Sequence, residues 1–226
     1  MSDTDSFIDE VTEEVRRDKL YGYLRKYGWI GIALVILIVA GTSYSEYRKA
    51  QAANAAQALG DAILSAYQEN DQALRADKLA EISSDDPRAT AALDMIVAAE
   101  LAGAGDMDAA AARLSQIAEN GDVPEVYRLM AGFKALLAQT GTMSSDERAE
   151  GFGQFAIPGN PFRLLAEEQL ALVAVEKGEN DAAVERLQAI LNDAEVTAGL
   201  QQRAMQVIVA LGGEPDLSAL TQTNQN

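Results

Sequence analysis

Between Lys26 and Glu46 the chain runs nineteen residues, Tyr27 to Ser45, without a charged side chain. A helix rises about 1.5 Å per residue, so this stretch reaches roughly 28 Å, close to the ~30 Å hydrocarbon thickness of a bilayer. Its centre holds Ile30, Ile32, Leu34, Val35, Ile36, Leu37, Ile38 and Val39. Each such side chain favours insertion by about 0.3–0.6 kcal/mol at mid-membrane. The sequence therefore predicts a transmembrane helix over 27–47. It divides the chain into an N-terminal segment, 1–26, a helical domain, 48–216, and a polar tail, 217–226, expected to be disordered.

The flanks set an expected orientation. Arg16, Arg17, Lys19, Arg25 and Lys26 precede the span, and only Arg48 and Lys49 follow it closely. Lysine and arginine accumulate on the cytoplasmic side, so 1–26 is expected in the cytoplasm and 48–216 across the membrane. Tyr21, Tyr23, Tyr27 and Trp29 at one end, and Tyr44 and Tyr47 at the other, suit the headgroup level. A cleaved signal peptide would open on a short basic region. The residues before this span instead mix seven acids with five bases, so an uncleaved anchor is expected.

Composition narrows the chemistry. The 226 residues include no Cys and no His, which removes thiolate metal sites, Cys and His nucleophiles and Ser-His-Asp triads. Net charge is −17. A domain this acidic repels nucleic-acid phosphate, so no nucleic-acid partner is expected, and the charge favours solubility. No dinucleotide fingerprint, P-loop or complete EF-hand is present. Asp106 and Asp108 are better explained as helix caps than as metal ligands. Neither an enzyme nor a cofactor is expected.

Alanine and leucine recur at helical spacing, and no stretch alternates with a period of two, so the domain is all-α. Phe7, Ile8, Val11 and Val15 fall on one face of an amphipathic helix over 5–21. Beyond the span, 50–73 is expected to be helical and to continue the membrane helix. Further helices are expected over 72–83, 88–103, 107–119, 124–139, 145–155, 161–176, 180–192 and 197–211. Gly, Pro, Ser and Asp mark the breaks between them.

An internal repeat organises these helices. Gly105-Asp106-Met107-Asp108-Ala109-Ala110 leads to Arg113, Leu114 and Ile117. Gly178-Glu179-Asn180-Asp181-Ala182-Ala183 leads to Arg186, Leu187 and Ile190, at a constant spacing of 73 residues. These joints, with Val97-Ala98 and Leu170-Ala171 upstream, resemble the tetratricopeptide repeat, in which a glycine ends helix A and Asp-Ala opens helix B. The Trp, Tyr and Pro positions of that consensus are unfilled, so the repeats are degenerate. The expected fold is a single N-terminal transmembrane helix followed by a degenerate tetratricopeptide-like α-solenoid.

A wider resemblance rests on Phe7-Ile8-Asp9-Glu10-Val11, Arg16-Arg17, the Tyr27-Gly28 entry into one span, Asn160-Pro161-Phe162-Arg163 and Ala198-Gly199-Leu200-Gln201-Gln202-Arg203-Ala204. With these the chain is similar to the ancillary subunits of the SecYEG translocon, the YfgM-like family, and to their alphaproteobacterial members in particular. That resemblance implies a bacterial inner-membrane protein whose repeat domain lies in the periplasm. Its implied partners are the translocon and a membrane-anchored periplasmic chaperone. The alternatives are a regulatory tether, whose cytoplasmic helix binds a stress-response regulator, and an envelope scaffold. Because helix A lines the groove in tetratricopeptide proteins, and stacked pairs leave an extended surface, Asp94, Glu100, Arg128, Lys134, Gln169 and Val173 are the candidate partner-groove residues.

Overall fold

The computed structural model describes the backbone of residues 3–216 and the side chains of 25–216. The predicted tail, 217–226, lies outside the described residues, as do the side chains of the amphipathic segment at 5–21. Two compact units divide between Asp61 and Ala62.

The first unit is almost entirely the helix α1, Asp3–Ala66, whose last turn belongs to the second unit. The sequence predicts a separate helix at 5–21, but the backbone is helical without interruption through the span. No proline occurs before Pro87. Isolated glycines such as Gly28 and Gly31 cost a helix only about 1 kcal/mol each, so nothing here ends one. The apolar side chains of the span lie open on every side: Trp29, Ile32, Leu37 and Val39 are all exposed. From Arg25 the helix is long and apolar enough to cross a membrane, with none of its most apolar stretch buried by protein. Such a surface is stable only where lipid covers it.

The second unit is a stack of consecutive helices: α2, Gln72–Ala80; α3, Pro87–Gly103; α4, Met107–Glu119; α5, Glu125–Ala138; α6, Ser145–Gly153; α7, Arg163–Glu176; α8, Asn180–Leu191; and α9, Ala198–Ala210. Each packs mainly on its sequence neighbours, the contact order of a solenoid. The helix expected over 50–73 stops at Ala66. Asp71 accepts a hydrogen bond from the Leu74 amide and starts α2 afresh. α2 and α6 end two or three residues earlier than the spacing predicts, at Ala80 and Gly153.

The repeat is now explicit. α2 to α5 recur as α6 to α9, with the first residues of α2 and α6, α4 and α8, and α5 and α9 each 73 apart. The turn from α3 to α4 closes with Gly105 at φ 91°. Its amide donates to the Ala102 carbonyl, and the Asp106 amide donates to that of Leu101. Gly178, at φ 78°, repeats this with Val175, and Glu179 with Ala174. Only glycine takes this left-handed position without strain.

The buried positions repeat as well. Ala98, Ala110, Leu114, Ile117, Ala131 and Ala135 form a core among α3, α4 and α5. Their equivalents Ala171, Ala183, Leu187, Ile190, Ala204 and Ile208 are buried in the second half. Alanine at the contacts lets helices approach closely, and the branched side chains fill the remaining space. A separate cluster of Ala66, Leu79, Leu93 and Val97 closes the start of the stack. An aromatic cluster joins the halves. Phe133 of α5 lies 5.6 Å from the rings of Phe152 and Phe155, edge-on to both, and 5.5 Å from Phe162, stacked.

Candidate partner-binding surface

Most of the basic side chains of the stack are held in ion pairs, and several of these tie one helix to another. Asp94 of α3 lies 2.7 Å from Arg113 of α4. The equivalent residues of the second half, Glu167 and Arg186, pair in the same way. Both arginines sit nearly two turns into helix B, just after its Ala-rich start, and both acids sit nineteen residues earlier on helix A.

A second pair of clamps ties helix α2 to α3 and α6 to α7. Arg75 donates to Glu100 at 2.8 Å and stacks 5.3 Å from the Tyr67 ring. Its hydrogen bond holds the Glu100 carboxyl below the usual glutamate range, against the upward push of burial. Arg148, 73 residues after Arg75, pairs with Glu176, whose carboxyl it lowers likewise. Lys177 reaches Asp146 across the same contact, and Arg203 of α9 holds the buried Glu168 of α7 through two hydrogen bonds.

The six predicted groove residues therefore have different environments. Glu100 is buried and bound to Arg75, and Val173 is buried in the core at 3 % exposure. Asp94 is half-buried and holds Arg113, and Gln169 is half-buried. Lys134 is exposed, and Arg128 is half-buried with an Nε atom that has no hydrogen-bond partner. Asp94 and Glu100 are six residues apart on one helix, as are Arg128 and Lys134, which turns each pair about 120° apart. Gln169 and Val173, four apart, share a stripe. The structure does not bring the six to one face. Family analogy names the helix but not the register of each side chain.

The concave features lie elsewhere, at the start of helix A and the end of helix B. In the first half a cleft of about 330 Å³ is lined by Ser84, Thr90, Asp94, Gln116, Asn120 and Asp122, among others. In the second half the same place holds two adjoining clefts, of about 440 and 420 Å³, and Arg163 and Leu164 line both. Sequence reasoning missed these clefts, although the 73-residue spacing relates their linings. Among the described residues no three His, Cys, Asp or Glu side chains are grouped to hold a metal ion.

What the geometry offers is contact surface: rigid helix pairs with paired charges between them and shallow polar clefts at their ends. The chain is a membrane-anchored, all-helical repeat protein suited to protein–protein interaction. No protein-family model, curated protein or solved structure matches it.

Proposed function

We propose that this protein is an accessory subunit or adaptor at the bacterial Sec translocon. Its N-terminus lies in the cytoplasm and its repeat domain in the periplasm, where the domain recruits a membrane-anchored chaperone or exported chains. It does so without catalysis. The observation that carries the reading is one unbroken helix with an uncharged, lipid-ready stretch, joined to a repeat domain of stacked helices. The lysine and arginine excess before the span supports the orientation, and the family resemblance of the sequence supports the partners. The mechanism is effective concentration: the anchor confines a binding surface near the membrane and raises its encounter with membrane-bound partners without any new contact.

The test is crosslinking in intact membranes at native expression, followed by mass spectrometry of the captured proteins. Recovery of translocon subunits or a periplasmic chaperone is the expected result, and recovery of neither would refute the reading. Protease added to spheroplasts should digest the repeat domain without detergent, and protection of the domain would reverse the topology. Val35→Arg should release the protein from carbonate-washed membranes, because one arginine at mid-span costs about 2.5–3.5 kcal/mol.

A further inference from the structure

The repeat reaches back into α1. Ile63, in its last turn, packs with Leu79 and Leu93, and Leu136 of α5 packs with Phe152 and Ala166. Each of these positions stands 73 residues from its counterpart. The end of α1, α5 and α9 are therefore successive members of one series. α5 and α9 each carry a second buried face. Ala131 and Ala135 share a core with Leu114 and Ile117 of α4, and Ala204 and Ile208 share one with Leu187 and Ile190 of α8. The matching residues of α1 are Ala58 and Ala62. Ala58 is exposed and Ala62 half-buried. The face that a helix covers twice in this molecule lies open at its third occurrence.

That face runs back along α1 toward the membrane span. At about 100° per residue, Tyr44, Tyr47, Gln51, Asn54, Ala58 and Ala62 stay within an arc of about 80°. Glu46, Arg48, Lys49 and Asp61, the charged residues of this stretch, all lie outside it. In a chain of net charge −17 the face is an uncharged strip about 27 Å long. Every residue from Glu46 to Ala58 is exposed, and Lys49–Glu46 is the one ion pair of the stretch among the described residues. An alanine-rich helix of this length is marginal in water without tertiary packing.

We propose that a second copy of this chain covers the strip, the two α1 helices lying parallel above the span. Anchors in one bilayer bring two copies out on the same side and in the same direction, so equivalent residues meet about a twofold axis along the membrane normal. Inside the stack the covering helix arrives through a short turn; here it arrives on its own anchor. The strip suits its own copy. Ala58 and Ala62 permit close approach, and no like charges oppose each other. Gln51 and Asn54 each carry donors and an acceptor, so each can pair with its counterpart, and an amide at such a seam fixes the register of a parallel pair. Six residues a side are far fewer than the roughly 20–30 of an interface between free proteins, so confinement in the bilayer supplies the effective concentration. This inference goes beyond the adaptor reading and does not depend on it.

The chain has no cysteine, so a single introduced thiol reports on its own copy. The full-length variants Gln51→Cys, Ala58→Cys, Ala53→Cys and Ala56→Cys are reconstituted in liposomes and mildly oxidised, and disulfide-linked dimer is read on a non-reducing gel. Facing thiols link when their Cα atoms lie within about 7 Å. Dimer from Gln51→Cys and Ala58→Cys should exceed that from Ala53→Cys and Ala56→Cys, on the far side of the helix, by at least about fivefold. The excess should persist on dilution with lipid. Adding Ala58→Glu to the Gln51→Cys chain sets two like charges face to face and should cut the dimer by at least about fivefold, whereas Ala56→Glu should change it less than about twofold. Circular dichroism checks that each variant is folded.

Equal dimer from all four positions would mean random collision in the bilayer and would overturn the proposal. So would absence of dimer at positions 51 and 58, or an Ala58→Glu chain that links as well as the original. In native membranes, an adduct of another mass from Ala58→Cys in place of the dimer would show that a different protein covers the strip, and the second copy would fall. The adaptor reading fails separately. If the thiols at 51 and 58 form dimer in membranes that yield no translocon or chaperone crosslink, the pair stands and the partner assignment falls. If those crosslinks form and the thiols do not link, the reverse holds.

Discussion

The first half of the stack, α2–α5, and the second, α6–α9, are built on one plan, yet they place the same clamp differently. Arg75 and Arg148 are equivalent residues of α2 and α6. Arg75 pairs with Glu100, whereas Arg148 pairs with Glu176, the last residue of α7. The equivalent of Glu176 is Gly103, which cannot serve. A Cβ there would stand 2.6 Å from the Gln72 amide nitrogen. In the second half Ser145 replaces Gln72 and leaves room. The acid sits one turn earlier in the first half, at the buried position of Glu100 rather than the half-exposed one of Glu176. Core positions cannot shift in this way, because a one-residue change of register would turn an alanine contact by about 100°. The shared alanine and branched core positions repeat, while this one clamp takes its acid from a different turn in each half.

The halves differ again at their outer ends. Phe133 sits at the centre of the aromatic joint, but its equivalent in α9 is Gln206, which is exposed. Nothing follows α9 among the described helices, so a polar residue faces outward there, as at the capping end of a repeat array. Phe133→Ala is the harshest way to break the symmetry. It should cost about 3–5 kcal/mol, the usual loss for a buried phenylalanine, and should separate the unfolding of the two halves. Gln206→Ala should stay within about 0.5 kcal/mol of the original. Urea unfolding followed by circular dichroism and by hydrogen exchange would resolve both, and equal effects would deny α9 its role as the end of the stack.

The paired acids give the next effect. The folded-state pKa values of Glu100 and Glu176 are held down, chiefly by hydrogen bonds from Arg75 and Arg148. Their contribution is therefore complete above the ordinary glutamate pKa of about 4.3 and is lost as pH falls through the depressed folded values. The urea midpoint should drop as the protein is acidified below about pH 4.3. Glu100→Gln should flatten that dependence more than Glu176→Gln, because Glu100 is the more enclosed. A reversed order, read from midpoints at a series of pH values, would show that the buried clamp is not the stronger one.

These contrasts also mark what could be read from the chain alone. Helix limits and the repeat were legible because Gly105, Gly178, Asp106 and Pro87 act locally. The start and end of α4 match the sequence expectation to the residue. The continuity of α1 is less legible, because the amphipathic pattern at 5–21 resembles that of an independent helix although no proline interrupts the chain before Pro87. Nor could the groove residues be placed. Whether Glu100 faces solvent or Arg75 depends on how α2 crosses α3, and the clefts require the end of α4 to be set against the start of α3. Such relations between distant segments leave no periodic signal.

The turns between helix A and helix B offer a finer comparison. Gly105→Ala and Gly178→Ala should each cost about 1–2 kcal/mol, because a side chain at positive φ is strained. Neither position is crowded, so the cost is conformational and should be nearly equal in the two halves. Thermal unfolding of the two single variants measures it. A difference above about 1 kcal/mol would mean that the two turns are not equivalent despite their matching hydrogen bonds.

The smallest expected effect lies one residue further on. Asp106 caps α4 by accepting from the Ala109 amide at 3.0 Å, whereas Glu179 in the same place makes no capping hydrogen bond. The glutamate carboxylate is one methylene further from its own backbone, which makes it the poorer cap. Asp106→Ala should cost about 1 kcal/mol, and Glu179→Ala almost nothing. Glu179→Asp should then stabilise α8 by up to about 1 kcal/mol, bringing the second half into line with the first. Amide exchange at Ala182 reads this locally, and it should slow in the Asp variant. If it does not, the uncapped start of α8 owes its order to the buried contacts of Ala183 and Leu187, and the cap in the first half is redundant with Ala110 and Leu114.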